Sequence, residues 1–201
     1  LRRAYRPLWD FATQEDYRDY LLDVEPRTLS GHLTRSYEEC EIANWLLLHG
    51  VDYRYEAAYD ADVASEQHRQ YRPDFYLPAH NLYIEHWGVN HHGRAAPFIN
   101  NETYQSKMLW ARIKHLEEGT DLVETYSWEY MDGVLFPNLE ANLRARGVRF
   151  ARVSMQTAIR QLGEKTVGPF ERLCCTFLSL FKSGGYSLEY LRAKAKQMLN
   201  P

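Results

Sequence analysis

Two stretches, Arg72-Pro73-Asp74-Phe75-Tyr76-Leu77 and Leu82-Tyr83-Ile84-Glu85-His86-Trp87, decide how this chain folds. Both are rich in aromatic and aliphatic residues, and Pro78-Ala79-His80-Asn81 between them is a short connection with turn chemistry. An antiparallel hairpin is therefore predicted. Asp74 opens its first strand and Glu85 lies in its second, so the hairpin draws two carboxylates together.

Outward from the hairpin, Ser36-Tyr37-Glu38-Glu39 has the S-x-x-E form of a capping box. It precedes Ile42-Ala43-Asn44-Trp45-Leu46-Leu47-Leu48, which predicts a helix running to His49 and stopping at Gly50. Val51 to Tyr59 alternates partially and predicts a strand, followed by a polar loop over residues 60–70. Beyond the hairpin, residues 103–118 predict a helix with Met108, Ile113 and Leu116 partly inward, then Gly119 and a strand at 121–126. The order helix, three strands, helix, strand defines an α/β class with a mixed central sheet flanked by helices. Further helices are predicted near 135–146, 155–162, 169–182 and 187–199. This divides the chain into a lead-in segment (1–35, with a short helix around Gln14 to Leu22), a core (36–150) and a helical C-terminal region (151–201).

Composition narrows the class. The 201 residues, 45% hydrophobic and 25% charged, fit a globular domain and exclude disorder and fibrous repeats. Cys40, Cys174 and Cys175 are an odd count with no CxxC pair, which argues against a disulfide framework and favours a reducing, cytoplasmic setting. No apolar run approaches the roughly 18 to 20 residues of a membrane span, so no membrane is expected. A first residue other than Met suggests a piece of a longer polypeptide. Charge is unevenly spread: residues 144–201 hold 11 Lys and Arg against 3 Asp and Glu, and the remainder 13 against 24. A basic region joined to an acidic one suits a phosphate backbone on one side and a cation on the other.

Asp74 and Glu85 supply hard oxygen donors suited to Mg²⁺ or Mn²⁺, and Glu39, on the helix before the sheet, is a third carboxylate. The carbonyl of His86 is the next backbone oxygen. His86, His91, His92 and His115 match no zinc spacing. Gly163-Glu164-Lys165-Thr166 superficially resembles a phosphate loop, but the Gly-x-x-x-x-Gly-Lys-[Ser/Thr] pattern is absent, so no nucleotide-driven motor is expected in this chain. Tyr126, Trp128 and Tyr130 alternate at strand spacing, a pattern of half-buried strand aromatics more often than of a base-stacking surface. Trp87 and Trp110 are expected to pack the second hairpin strand against the following helix.

Pro73-Asp74 followed eleven positions later by Glu85 resembles the PD-(D/E)XK nuclease superfamily, whose restriction-endonuclease-like core has the element order given above. Four strings are similar to the nuclease-like domain of bacterial superfamily 1 helicases of the UvrD and helicase IV type. They are Ser36-Tyr37-Glu38-Glu39 with Ile42-Ala43-Asn44, Tyr71 to Pro78, Tyr83 to Gly88, and Glu124-Thr125-Tyr126-Ser127. The resemblance covers about residues 25–150. It implies Glu39, Asp74 and Glu85 as active-site acids, with Asp74, Glu85 and the His86 carbonyl as ligands of Mg²⁺ or Mn²⁺. It also implies DNA as the substrate and helicase motor domains of the same parent polypeptide as partners.

The sequence departs from that pattern at the lysine. The usual position, two after the glutamate, is Trp87. In the helicase-associated branch the lysine moves to the following helix, and Met108-Leu109-Trp110-Ala111-Arg112 has Ala111 where it is expected. Lys107 and Lys114 flank Ala111 at helical spacings of four and three as candidate partial substitutes, with loss of the lysine's role expected over rescue. Ala111 thus implies an inactivated nuclease, either by a deliberate substitution or by natural degeneration. The alternative is a non-catalytic DNA-binding or structural insertion of a helicase.

Overall fold

The computed structural model describes residues 5–64, 69–151, 187, 189, 190 and 192. The chain divides into two compact units, Leu1–Gln161 and Leu162–Pro201. The helices expected at 155–162 and 169–182, Cys174 and Cys175, and most of the basic C-terminal region lie outside the described residues. Of the helix expected at 187–199, Glu189, Tyr190 and Arg192 are described, and they are helical.

In the first unit the elements are α1 (Gln14–Val24), α2 (Tyr37–Leu48), β1 (Arg54–Tyr55), β2 (Phe75–Leu77), β3 (Leu82–Trp87), α3 (Asn101–Glu117), β4 (Asp121–Tyr126), α4 (Ser127–Met131) and α5 (Leu135–Ala145). The strands form one mixed sheet in the order β1-β2-β3-β4. The first two pairings are antiparallel and β3 runs parallel to β4. That matches the mixed sheet flanked by helices expected of the sequence. Among the described residues no helix is long and apolar enough to cross a membrane.

Local chemistry sets the element ends. Ser36 caps α2 by accepting from the Glu39 amide at 3.1 Å. Glu39 turns back on the Ser36 hydroxyl (2.9 Å) and the Arg35 amide (3.3 Å) instead of the Ser36 amide that a capping box uses. The helix stops at Gly50, whose φ of 69° needs glycine and whose absent Cβ would meet the Ala151 carbonyl oxygen at 2.7 Å. The Pro78-to-Asn81 connection is a 3-10 turn closed by Asn81 at φ 47°.

Three expectations change. The strand predicted over Val51 to Tyr59 pairs only at Arg54–Tyr55, because Glu56 takes a left-handed φ of 47° and turns the chain out of the ladder. Tyr126, Trp128 and Tyr130 do not continue one strand. Glu129 Oε2 accepts from the Tyr126 amide at 3.0 Å and starts the helix α4. Ile113 and Leu116 face solvent at 41% and 82% exposure, since the inward stripe of α3 is Met108, Ala111 and His115, at spacings of three and four.

All six residues of β3 are buried, because this strand is covered on both faces. On one face Leu82 and Ile84 join Phe75, Leu77, Ile42 and Leu46, with Leu139 and Leu143 of α5. On the other Tyr83 and Trp87 join Tyr59, Tyr71, Met108 and Ala111. Trp110 is half-buried against this second cluster, with its ring 5.3 Å from Tyr71. Truncating a fully buried Leu139 to Ala would cost about 2 to 5 kcal/mol.

Candidate active site

Strand register builds the centre of the site. Phe75 pairs with Ile84 in the β2–β3 ladder, and continuing that register by one residue sets Asp74 opposite Glu85. Like charges directly opposite one another in an antiparallel pair are destabilising. Tyr83, Glu85 and Trp87 share the β3 face turned toward α3, and Ile84 and His86 share the face turned toward α2.

Each carboxylate is pinned by a donor. The His86 amide donates to Asp74 Oδ2 at 2.7 Å, and the Tyr71 hydroxyl donates to Glu85 Oε1 at 2.5 Å. The Tyr55 hydroxyl donates to Glu39 Oε2 at 2.6 Å. Burial, then the facing Glu85, pushes the Asp74 carboxyl well up. Burial raises Glu85 as well, against the Tyr71 hydrogen bond and the Lys107 charge that favour its ionised form. Burial and then Asp74 push Glu39 up to about 7. Three acids that hinder one another's ionisation are a group that a cation would relieve.

Lys107 is the α3 cation whose charge reaches this group. Its charge acts on both Asp74 and Glu85, and its Nζ lies 5.5 Å from the ring centroid of the buried Trp87. Lys114 is turned away and pairs with Glu117 at 2.6 Å. Ala111 is fully buried among Tyr71, Tyr83, Trp87 and Met108. Of the three helix positions singled out in the sequence, Lys107 is the one brought to the acids.

Among the described residues no three His, Cys, Asp or Glu side chains form a ready-made metal cage. Mg²⁺ does not require one, because it keeps several waters and is commonly held by one or two carboxylates. Asp74 and Glu85, side by side with Glu85 hindering the charge of Asp74, fit that donor set.

Sequence reasoning missed a second network beside the first. His86 Nε2 meets Glu38 Oε2 at 2.6 Å and Nδ1 meets Thr125 Oγ1 at 2.9 Å, both buried. Ser127 and Tyr5 also donate to the Glu38 carboxylate. Burial alone would raise Glu38, but the His86 bond and charge outweigh it and hold the acid below its usual range. Burial alone would lower His86, but Glu38 raises it, which makes the pair a buried imidazolium and carboxylate. The only sequence signal for this was the Glu38-Glu39 doublet, whose members a helix turns about 100° apart.

A cleft of 480 Å³ opens beside both networks. Its walls include Glu38, Glu39 and His86, with Tyr17, Phe98 and Tyr104 opposite. Asp74 and Glu85 stand outside its walls and connect to it through Glu39 and the His86 amide. No family model, curated protein or solved structure matches the chain.

Proposed function

We propose that this chain is a metal-dependent deoxyribonuclease domain with a restriction-endonuclease-like, PD-(D/E)XK core, belonging to a larger helicase-nuclease. The observation that carries the reading is that Asp74, immediately before β2, accepts from the His86 amide at 2.7 Å beside Glu85 of β3, with Glu39 and Lys107 acting on the same pair. The element order, α2, three strands, α3 and β4, supports it.

Asp74 and Glu85 would hold Mg²⁺ or Mn²⁺, which when bound supplies Lewis-acid stabilisation and a more acidic water. Glu39, with a carboxyl near 7, is half-protonated at neutral pH and matched to taking a proton from water. Among the described residues its Oε1 accepts only from Ser36, which leaves a lone pair for that proton. Lys107 Nζ offsets negative charge as it develops on the phosphate. Tyr71 and the His86 amide orient Glu85 and Asp74. In this reading Lys107 supplies the cation, and Ala111 serves as packing on the aromatic face.

The test is Mn²⁺-dependent cleavage of labelled single- and double-stranded DNA, with Asp74→Ala and Glu85→Ala as blanks. Cleavage by the chain and silence from both blanks is the expected result. Silence from all three, with DNA still bound, would replace this reading with a non-catalytic DNA-binding insertion.

A further inference from the structure

The 480 Å³ cleft has walls of two kinds. On one side are Glu39 and His86, each tied directly to the acid pair. Opposite stand the half-buried rings of Tyr17 on α1 and Phe98 on the loop before α3. Their centroids lie 6.3 Å apart with planes inclined by 32°. The two rings are neighbouring aromatic surfaces of the cleft on which a base can stack. Tyr104 forms a third aromatic wall, its hydroxyl fixed by the Gly88 amide at 2.8 Å. The exposed cations Arg6 and Arg35 also line the cleft, Arg6 beside Asp10 and Arg35 paired with Glu56 at 2.5 Å.

The lead-in segment closes the cleft on one side. Tyr5 donates to Glu38 and packs on Tyr130 at 4.8 Å, while Phe11 packs on Tyr17 at 5.2 Å. The resulting space falls within the ~300–1,000 Å³ typical of small-ligand sites. A paired base is already stacked inside its helix and has to be extruded before it can enter such a space. An unpaired base carries no such penalty, and aromatic platforms take bases of any sequence.

We infer that the cleft between α1 and the Phe98 loop is a stacking site for one unpaired nucleotide, which makes single-stranded DNA the preferred ligand. This deepens the nuclease reading and rests on it for the role of the adjoining acids. The test is metal-free binding of a fluorescein-labelled oligo-dT strand and of a blunt hairpin duplex to the full chain. Tyr17→Ala and Phe98→Ala, on separate elements, are compared with it, and circular dichroism confirms that each variant is folded.

The expected result is tighter binding of the single strand and a loss of about tenfold in that affinity for each variant, with duplex binding unchanged. Equal affinity for strand and duplex, or single-strand affinity that survives both substitutions in folded protein, overturns the inference. Neither outcome depends on cleavage. A chain that binds single strands through Tyr17 and Phe98 but never cleaves removes the nuclease reading and leaves the stacking site standing.

Discussion

Glu38 and Glu39 are consecutive residues in the first turn of α2, both buried, yet their carboxyls are driven in opposite directions. Glu38 meets an imidazole, and Glu39 meets another carboxylate. One residue type in one turn of one helix thus gives a stable ion pair on the His86 side and a strained, proton-poised acid on the Asp74 side. The partner decides the charge, and burial sharpens whichever outcome the partner selects.

The largest effects should separate the acid cluster from the ion pair by activity. Asp74→Ala is expected to abolish Mn²⁺-dependent cleavage. Lys107→Ala should lower kcat about a hundredfold with an unchanged melting temperature. If Lys114→Ala instead has that effect, the assignment of the cation to Lys107 is wrong.

Stability should then divide the two glutamates. Glu38→Gln leaves a buried His86 charge without its counter-ion and should destabilise by about 3 to 5 kcal/mol in urea titrations. The pH dependence follows from the two shifts. His86 is raised, so its contribution is complete below 6.5 and lost as pH climbs through its folded value. Glu38 is lowered, so its contribution is complete above 4.5 and lost as pH falls through its folded value. Their joint contribution is therefore full between those limits, and Glu38→Gln should remove it there.

Glu39 has the reverse sign. Its carboxyl rises from 4.5 to about 7 on folding, so in the metal-free protein its own contribution is most favourable below 4.5 and falls by up to about 3 kcal/mol as pH passes 7. Glu39→Gln should flatten that decline, and Mn²⁺ should counter it in the unsubstituted chain. A decline of the same size in Glu39→Gln would show that another group sets it.

The smallest effect sharpens the role of α3. Ala111→Lys forces a long side chain into the aromatic cluster and should cost about 1 to 3 kcal/mol. It should not restore cleavage to Lys107→Ala. Restoration would show that position 111 reaches the acids after all.

Much of the frame was legible because its signals are local. The hairpin, α2 with its Ser36 cap, the helix after the loop and the strand at 121–126 each follow from short-range periodicity and turn residues. The failures are also local in cause. Glu56 ends β1 by a left-handed turn, and Glu129 converts an alternating aromatic run into a helix start. Neither a left-handed φ at a glutamate nor a hydrogen bond from Tyr126 to Glu129 shows in hydrophobic pattern. In the site, Asp74, Glu85 and Glu39 were legible as residues, whereas Glu38 and the pinning tyrosines were not.

By itself the sequence determined the element order and the two carboxylates on neighbouring strands, because helix and strand periods and the short Pro78-to-Asn81 connection act over a few residues. The tertiary structure decided which lysine acts on the acids, which glutamate binds His86 and which carboxyls burial drives up. Those outcomes depend on contacts as distant as Ser127 to Glu38 and His86 to Glu38, and on burial that arises only when both faces of β3 are covered.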